Sequence, residues 1–216
     1  MKLHRDGLPF IAIAVLIDAA LWLFVPLAGL IVLPLTIWTI LFFRDPDRRI
    51  PAGKNLIVSP ADGLLLPVSE AAPPPELGFG PDPKQKLSIF MNVFNVHVNR
   101  VPASGVIKKL AYRPGKFFNA SFDKASELNE RMAIRLALAE DAGPKEDIAF
   151  VQIAGLVARR IHCALTEGES VCRGDRFGII RFGSRLDVYL PGGARIRVSA
   201  GQKVKAGETV LADFPS

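Results

Sequence analysis

Residues 8–43 form a run that is apolar apart from Thr36, Thr39 and a single charge, Asp18. No soluble helix needs so much apolar surface, and the run is read as a membrane anchor. A single straight helix of that length would reach roughly 50 Å at about 1.5 Å per residue, well beyond a hydrocarbon core of about 30 Å. Pro26 with Gly29, and Pro34 beyond, offer a break near the middle, so two short helices forming a hairpin fit better. The run is too long for a secretory signal and lacks a small-residue cleavage site. Lys2 and Arg5 precede it, and Arg44, Arg48, Arg49 and Lys54 follow. Basic flanks on both sides place both ends in the cytoplasm. Each half is short for a full crossing, which leaves a wedge in one leaflet as an alternative. Asp18 is costly in lipid and is expected near a partner helix or water.

The chain of 216 residues has room for one domain besides this appendage. Its formal charge of +6 calls for an anionic partner, and the apolar run selects an anionic lipid surface over nucleic acid. Two cysteines without a CxxC pattern and three scattered histidines argue against a disulfide framework or a zinc site. No metal is expected. Beyond residue 43 the pattern is of short strands between Gly and Pro turns. Residues 55–66 read as strand, Asp62-Gly63 turn, strand, and residues 71–86 as an irregular loop. Residues 87–102 end in a β alternation that puts His97, Asn99 and Val101 on one face. Further strands are expected at 105–113, 131–139, 149–154, 177–182 and 186–190, with a turn at 114–120 and a loop or short helix from Ser126. Residues 196–212 look like the barrel-sandwich of lipoyl and biotinyl carrier domains, without the lysine hairpin that carries the group. The expected architecture is mainly β: a barrel-sandwich-like domain over residues 44–216, preceded by the helical hairpin within residues 1–43.

Gly183-Ser184 sits between two of those strands. Read alone, it is a β-turn. Glycine also lets a following hydroxyl approach the preceding carbonyl, because it has no Cβ. Ser184 Oγ could then add to the Gly183 carbonyl and turn the amide into an ester. β-Elimination would leave dehydroalanine, which hydrolyses to a pyruvoyl group. Such a group is a self-made cofactor whose carbonyl can form a Schiff base with an amine. Likewise, His97 alone reads as a half-buried histidine satisfied by a carbonyl, and Asp62 as a turn residue.

Six segments change the weight of these readings. They are Phe42-Phe43-Arg44-Asp45-Pro46, Ser59-Pro60-Ala61-Asp62-Gly63, Asn95-Val96-His97-Val98-Asn99-Arg100-Val101-Pro102, Gly115-Lys116-Phe117-Phe118-Asn119-Ala120, Asn129-Glu130-Arg131 and Phe182-Gly183-Ser184-Arg185-Leu186-Asp187-Val188-Tyr189-Leu190-Pro191. In this order they resemble the short form of the phosphatidylserine decarboxylase proenzyme, over essentially the full length. The resemblance implies self-cleavage between Gly183 and Ser184 into a β chain, residues 1–183, and an α chain, residues 184–216, that stay partners. It implies a covalent pyruvoyl cofactor derived from Ser184, and a maturation triad of Asp62, His97 and Ser184 with serine-protease logic. His97 is also the candidate for the decarboxylation cycle. Residues 88–89 and the turn 117–120 are expected to wall the site. Phosphatidylserine is the implied substrate, anionic lipids of the inner membrane the implied surface, and the cytoplasmic face the implied location. Self-association is left open.

Long forms of the family carry two histidines three residues apart and a Leu-Gly-Ser-Thr cleavage motif. Here Arg100 stands at the second histidine position and the motif is Phe-Gly-Ser-Arg. One imidazole would then serve both maturation and turnover, or another group supplies one of the protons. Competing readings are a pyruvoyl decarboxylase of a soluble amino acid and a membrane-anchored β-sandwich carrier or binding module. A serine hydrolase using Ser184 and His97 is a third, and it lacks a Gly-x-Ser-x-Gly elbow.

Overall fold

A computed structural model of the chain describes residues 2–116, 118, 128–139, 146–155, 160–181 and 183–214. The apolar run forms two helices, α1 (Leu8–Phe24) and α2 (Pro26–Phe42), that meet at Val25. Pro26 opens α2, where its fixed φ suits the first turn and its missing N–H costs nothing. Gly29 lets the helices close up at the tip, since a Cβ there would lie 2.9 Å from the Trp22 ring. Pro34 does not break the chain and sits inside α2. Asp18 is buried in the hairpin, and among the described residues its Oδ1 has no hydrogen-bond partner. Residues 5–24 are long and apolar enough to cross a membrane by length and composition; α2 is shorter.

The hairpin is fastened to the rest at its root. Lys2–Leu3 pairs antiparallel with Arg44–Asp45, so the chain before α1 and the chain after α2 are strand partners. The Gly7 backbone lies against the Phe43 ring so closely that any Cβ would collide with it. Phe42 and Phe43 are buried with Val96, Val98 and Ile179 of the β domain. Their aromatic area therefore works as a joint between hairpin and domain, not as lipid-facing surface.

Among the described residues, nine strands form one antiparallel sheet. Across its centre run Arg131–Leu138, Asp147–Ala154, Ser184–Tyr189 and Lys84–Met91, each hydrogen-bonded to the next. One three-stranded sheet joins Ile161–Cys163, Arg176–Ile180 and Val98–Arg100; another joins Arg195–Ile196, Val210–Asp213 and Leu56–Val58. The sheets are sandwich-like and no closed barrel forms among the described residues. The Asp62-Gly63 stretch corrects the hairpin expectation: Leu56–Val58 pairs with Val210–Asp213, whereas Gly63–Leu65 pairs with Lys84–Met91 and Lys203–Val204. The turn thus passes the chain from one sheet to another.

The Ser184–Tyr189 strand is buried on both faces. Leu186 and Val188 enter the main core with Ile89, Phe150 and Phe177. Tyr189 lies on the other face with Val151, Ile153 and Leu77. Arg185 and Asp187 share that second face and are fully buried, with Nε 2.8 Å from Oδ1 and Nη2 donating to Oδ2 at 3.0 Å. A charge pair is the one way such groups can be taken out of water at tolerable cost.

Candidate active site

The Arg176–Ile180 strand leads into a turn in which Gly183 takes φ +71°, a left-handed backbone that residues with a Cβ adopt only under strain. Among the described residues nothing lies within 4 Å of where a Gly183 Cβ would stand, so there the requirement is conformational and not steric. Ser184 follows as the first residue of its strand and is fully buried. Among the described residues its Oγ has no hydrogen-bond partner. A buried hydroxyl left unpaired costs about 1–3 kcal/mol, so this oxygen is not placed there for stability.

His97 meets this turn. It is fully buried, and its Nδ1 lies 3.0 Å from the Asn95 carbonyl. A carbonyl can only accept, so Nδ1 carries the proton and Nε2 keeps its lone pair. Nε2 accepts the Gly183 N–H at 3.4 Å. The Phe42 ring covers the imidazole, with centroids 4.2 Å apart and planes 31° apart. Burial lowers the His97 pKa to about 4, the Asn95 carbonyl opposing and the Arg44 charge assisting. The imidazole is therefore a neutral base at physiological pH.

Asp62 is held elsewhere. Its carboxylate pairs with Arg48 at 2.8 Å and accepts the Ala206 N–H at 2.7 Å. Among the described residues none of its hydrogen bonds goes to His97. The structure thus brings His97 to the Gly183 N–H, one residue before Ser184, with no hydrogen bond between His97 and Ser184 Oγ; it leaves Asp62 apart, with the Asn95 carbonyl as the group that orients the imidazole. Arg100 is a buried brace, donating to the Gly174 and Pro46 carbonyls at 2.8 and 3.0 Å.

Of the expected wall at 88–89, Ile89 pairs with Leu186 and shares the Ser184 face, whereas Ser88 pairs with Asp187 and lies on the other; Met91 stands directly opposite Ser184. Of the turn 117–120 only Phe118 is among the described residues. On the Ser184 face lies a polar pair that the sequence reading did not single out. Gln152 Nε2 donates to Asn99 Oδ1 at 2.9 Å, and Asn99 Nδ2 reaches Met91 Sδ at 3.7 Å. Both amides are fully buried, and among the described residues Gln152 Oε1 has no hydrogen-bond partner. Gln152 stood out in the sequence as the one polar side chain between Ala149 and Ala154. Phe42 and the Asn95 carbonyl gave no such signal, because each acts across the fold.

Residues 35–212 match the family model of phosphatidylserine decarboxylase. A phosphatidylserine decarboxylase proenzyme of Azorhizobium caulinodans is 53% identical over 214 residues, covering 99% of this chain and 90% of that protein. One of Xanthobacter autotrophicus is 54% identical over 214 residues, with the same shares. One of Rickettsia rickettsii is 52% identical over 212 residues, covering 98% of this chain and 90% of its own length.

Proposed function

The chain belongs to the phosphatidylserine decarboxylase family, and from that premise we propose that it cuts itself between Gly183 and Ser184 and then converts phosphatidylserine to phosphatidylethanolamine. The observation that carries this reading is the unpartnered, buried Ser184 Oγ beside a left-handed Gly183 whose N–H meets a neutral imidazole.

Maturation follows from those groups. Ser184 Oγ adds to the Gly183 carbonyl carbon while His97 Nε2 takes the hydroxyl proton. The protonated imidazole returns that proton to the departing Ser184 nitrogen, leaving an ester and a free amine. Loss of the Ser184 α-proton then expels the Gly183 carboxylate and creates dehydroalanine. Water replaces its nitrogen, which departs as ammonia, and a pyruvoyl group caps the new chain. The fit to this group is good: Ser184 is buried, its oxygen has no competing bond, and Gly183 offers the open backbone that attack requires.

When formed, the pyruvoyl group supplies an electron sink for loss of carbon dioxide from an amine-bearing carbon. The chain's own residues do the rest. His97 holds or delivers a proton at Nε2, and Phe42 with Met91 keeps water from the site. Gln152 Oε1 offers an acceptor on the Ser184 face. In this reading the orienting role belongs to the Asn95 carbonyl. Asp62 ties the junction after the hairpin to the turn at Ala206.

Residues 1–43 seat residues 44–216 on the cytoplasmic face of the inner membrane. Each helix of 17 residues spans about 25 Å, just under a hydrocarbon core of about 30 Å, which suits a re-entrant hairpin with both ends on one side. A diacyl substrate does not leave the bilayer cheaply, and the hairpin root that covers His97 brings the site to the headgroup level.

Intact mass of the purified full chain tests the reading. Two pieces are expected, the smaller beginning at the position of Ser184 and lacking its amino group, with loss of activity on hydroxylamine treatment. One uncut polypeptide with an ordinary serine and full activity overturns it.

A further inference from the structure

Three consecutive carbonyl oxygens, those of Val93, Phe94 and Asn95, receive hydrogen bonds from three separate side chains. Trp38 Nε1 donates to the first at 3.2 Å, Arg44 Nη2 to the second at 2.7 Å and His97 Nδ1 to the third at 3.0 Å. Within the turn, Asn92 Oδ1 accepts the Phe94 N–H and Asn95 Oδ1 accepts the Asn92 N–H, both at 2.9 Å. The backbone is therefore tied to the hairpin root on one side and to the imidazole on the other. The Phe94 side chain, by contrast, is 70% exposed.

A lone exposed aromatic needs no explanation. This one has a defined place. The Arg44 guanidinium bridges the Leu41 carbonyl, at 2.6 Å, and the Phe94 carbonyl, which sets Phe94 level with the last turn of α2. Leu41 of that turn, and Ile37 one turn before it, are also exposed, and Arg44 links the Leu41 and Phe94 carbonyls, so Phe94 adds an exposed ring at the apolar root of the hairpin. Arg44 makes both of its hydrogen bonds to carbonyl oxygens and, among the described residues, none to a carboxylate. Its charge is left to meet a phosphate. Aromatic and basic side chains side by side suit the headgroup layer of a bilayer.

We propose that Phe94 enters the phospholipid interface beside the hairpin root, so that the lipid surface steadies the turn whose Asn95 carbonyl orients His97. The partner is an anionic phospholipid bilayer. Phe94 is a positioning residue for the reaction, reached through the turn. The inference rests on the reading of the hairpin as the membrane seat.

The test uses the full chain in vesicles of phosphatidylcholine and phosphatidylglycerol containing phosphatidylserine. Phe94→p-benzoylphenylalanine, Leu27→p-benzoylphenylalanine at the hairpin tip and Tyr112→p-benzoylphenylalanine on an outer strand are irradiated and scored for lipid adducts. Adducts at 94 and 27 and none at 112 are expected. Adducts at 27 without any at 94 overturn this inference and leave the membrane seat standing; no adduct at either position overturns both. In parallel, Phe94→Ala should lower kcat/KM for phosphatidylserine in vesicles about tenfold, and Phe94→Leu should restore most of it. Unchanged kcat/KM in Phe94→Ala, or a fall that Phe94→Leu does not rescue, overturns the proposal.

Discussion

The ring of Phe42, the last residue of the helical hairpin, lies 4.2 Å from the imidazole of His97. The helix that would hold the protein in lipid thereby covers the base that would activate Ser184. Phe42 is 1% exposed and shares its cluster with Val96 and Val98 on either side of His97. Phe42→Leu should cost about 1–3 kcal/mol of stability and let water nearer the ring. The His97 pKa should then rise toward its ordinary value, so self-cleavage should fail on acidification at a higher pH than in the unsubstituted chain. The rate at which the small fragment appears, measured against pH, checks this.

The folded chain holds His97 neutral down to about pH 4, whereas an unfolded histidine titrates near 6.5. Below 6.5 the unfolded state therefore binds a proton that the folded state refuses. The resulting stability is complete above pH 6.5, shrinks as pH falls toward 4 and levels off below that, a loss of about 3 kcal/mol. Urea unfolding of uncut Ser184→Ala between pH 7 and 4 should show this slope. His97→Gln on the same background should flatten it by that amount.

Asp62 and Arg48 form one clamp, in which the carboxylate also takes the Ala206 N–H. Asp62→Asn and Arg48→Gln should slow self-cleavage by similar factors, and the double variant should be little worse than either. A much larger defect in Asp62→Asn than in Arg48→Gln would mean that the carboxylate acts at His97 directly during the reaction.

Gly183→Ala meets no atom of the described residues but must hold φ +71°. The strain is about 1–2 kcal/mol, which a folded domain tolerates. Cleavage should slow at least tenfold while the uncut chain keeps its thermal transition within a few degrees; scanning calorimetry and a gel time course read both.

Arg185 and Asp187 neutralise one another in a fully buried setting. Arg185→Met should cost about 3–5 kcal/mol by taking the guanidinium away from the buried carboxylate, and adding Asp187→Leu should recover much of it. Chemical denaturation of the uncut Ser184→Ala background measures both.

Local chemistry made part of this molecule legible. Pro26 marked the hairpin bend because proline presets the first turn of a helix; Pro34 carried the same signal and was overruled, α2 continuing through it. Gly183-Ser184 and His97 were legible as a pair, and the fold brings them together. Asp62 was read as the third member, yet its partners, Arg48 and the Ala206 N–H, are set by a turn that switches sheets. No spacing rule names a backbone N–H 144 positions away. The Asn95 carbonyl was invisible for a related reason, since every residue has a carbonyl and only the turn at Asn92 aims this one. Gln152 was visible as a polar side chain in an apolar strand, but its value depends on Asn99 arriving from another sheet.

The Ser184–Tyr189 strand lies between Lys84–Met91 on one side and Asp147–Ala154 on the other, paired over six positions with each. Severing the chain just before it would therefore release nothing. What had been the interior of a single polypeptide would become the interface of a heterodimer, assembled before its two subunits existed as separate molecules. Once unfolded, such an enzyme has no covalent memory of its register, so its maturation is a one-way event and its lifetime is set by how slowly that central ladder opens.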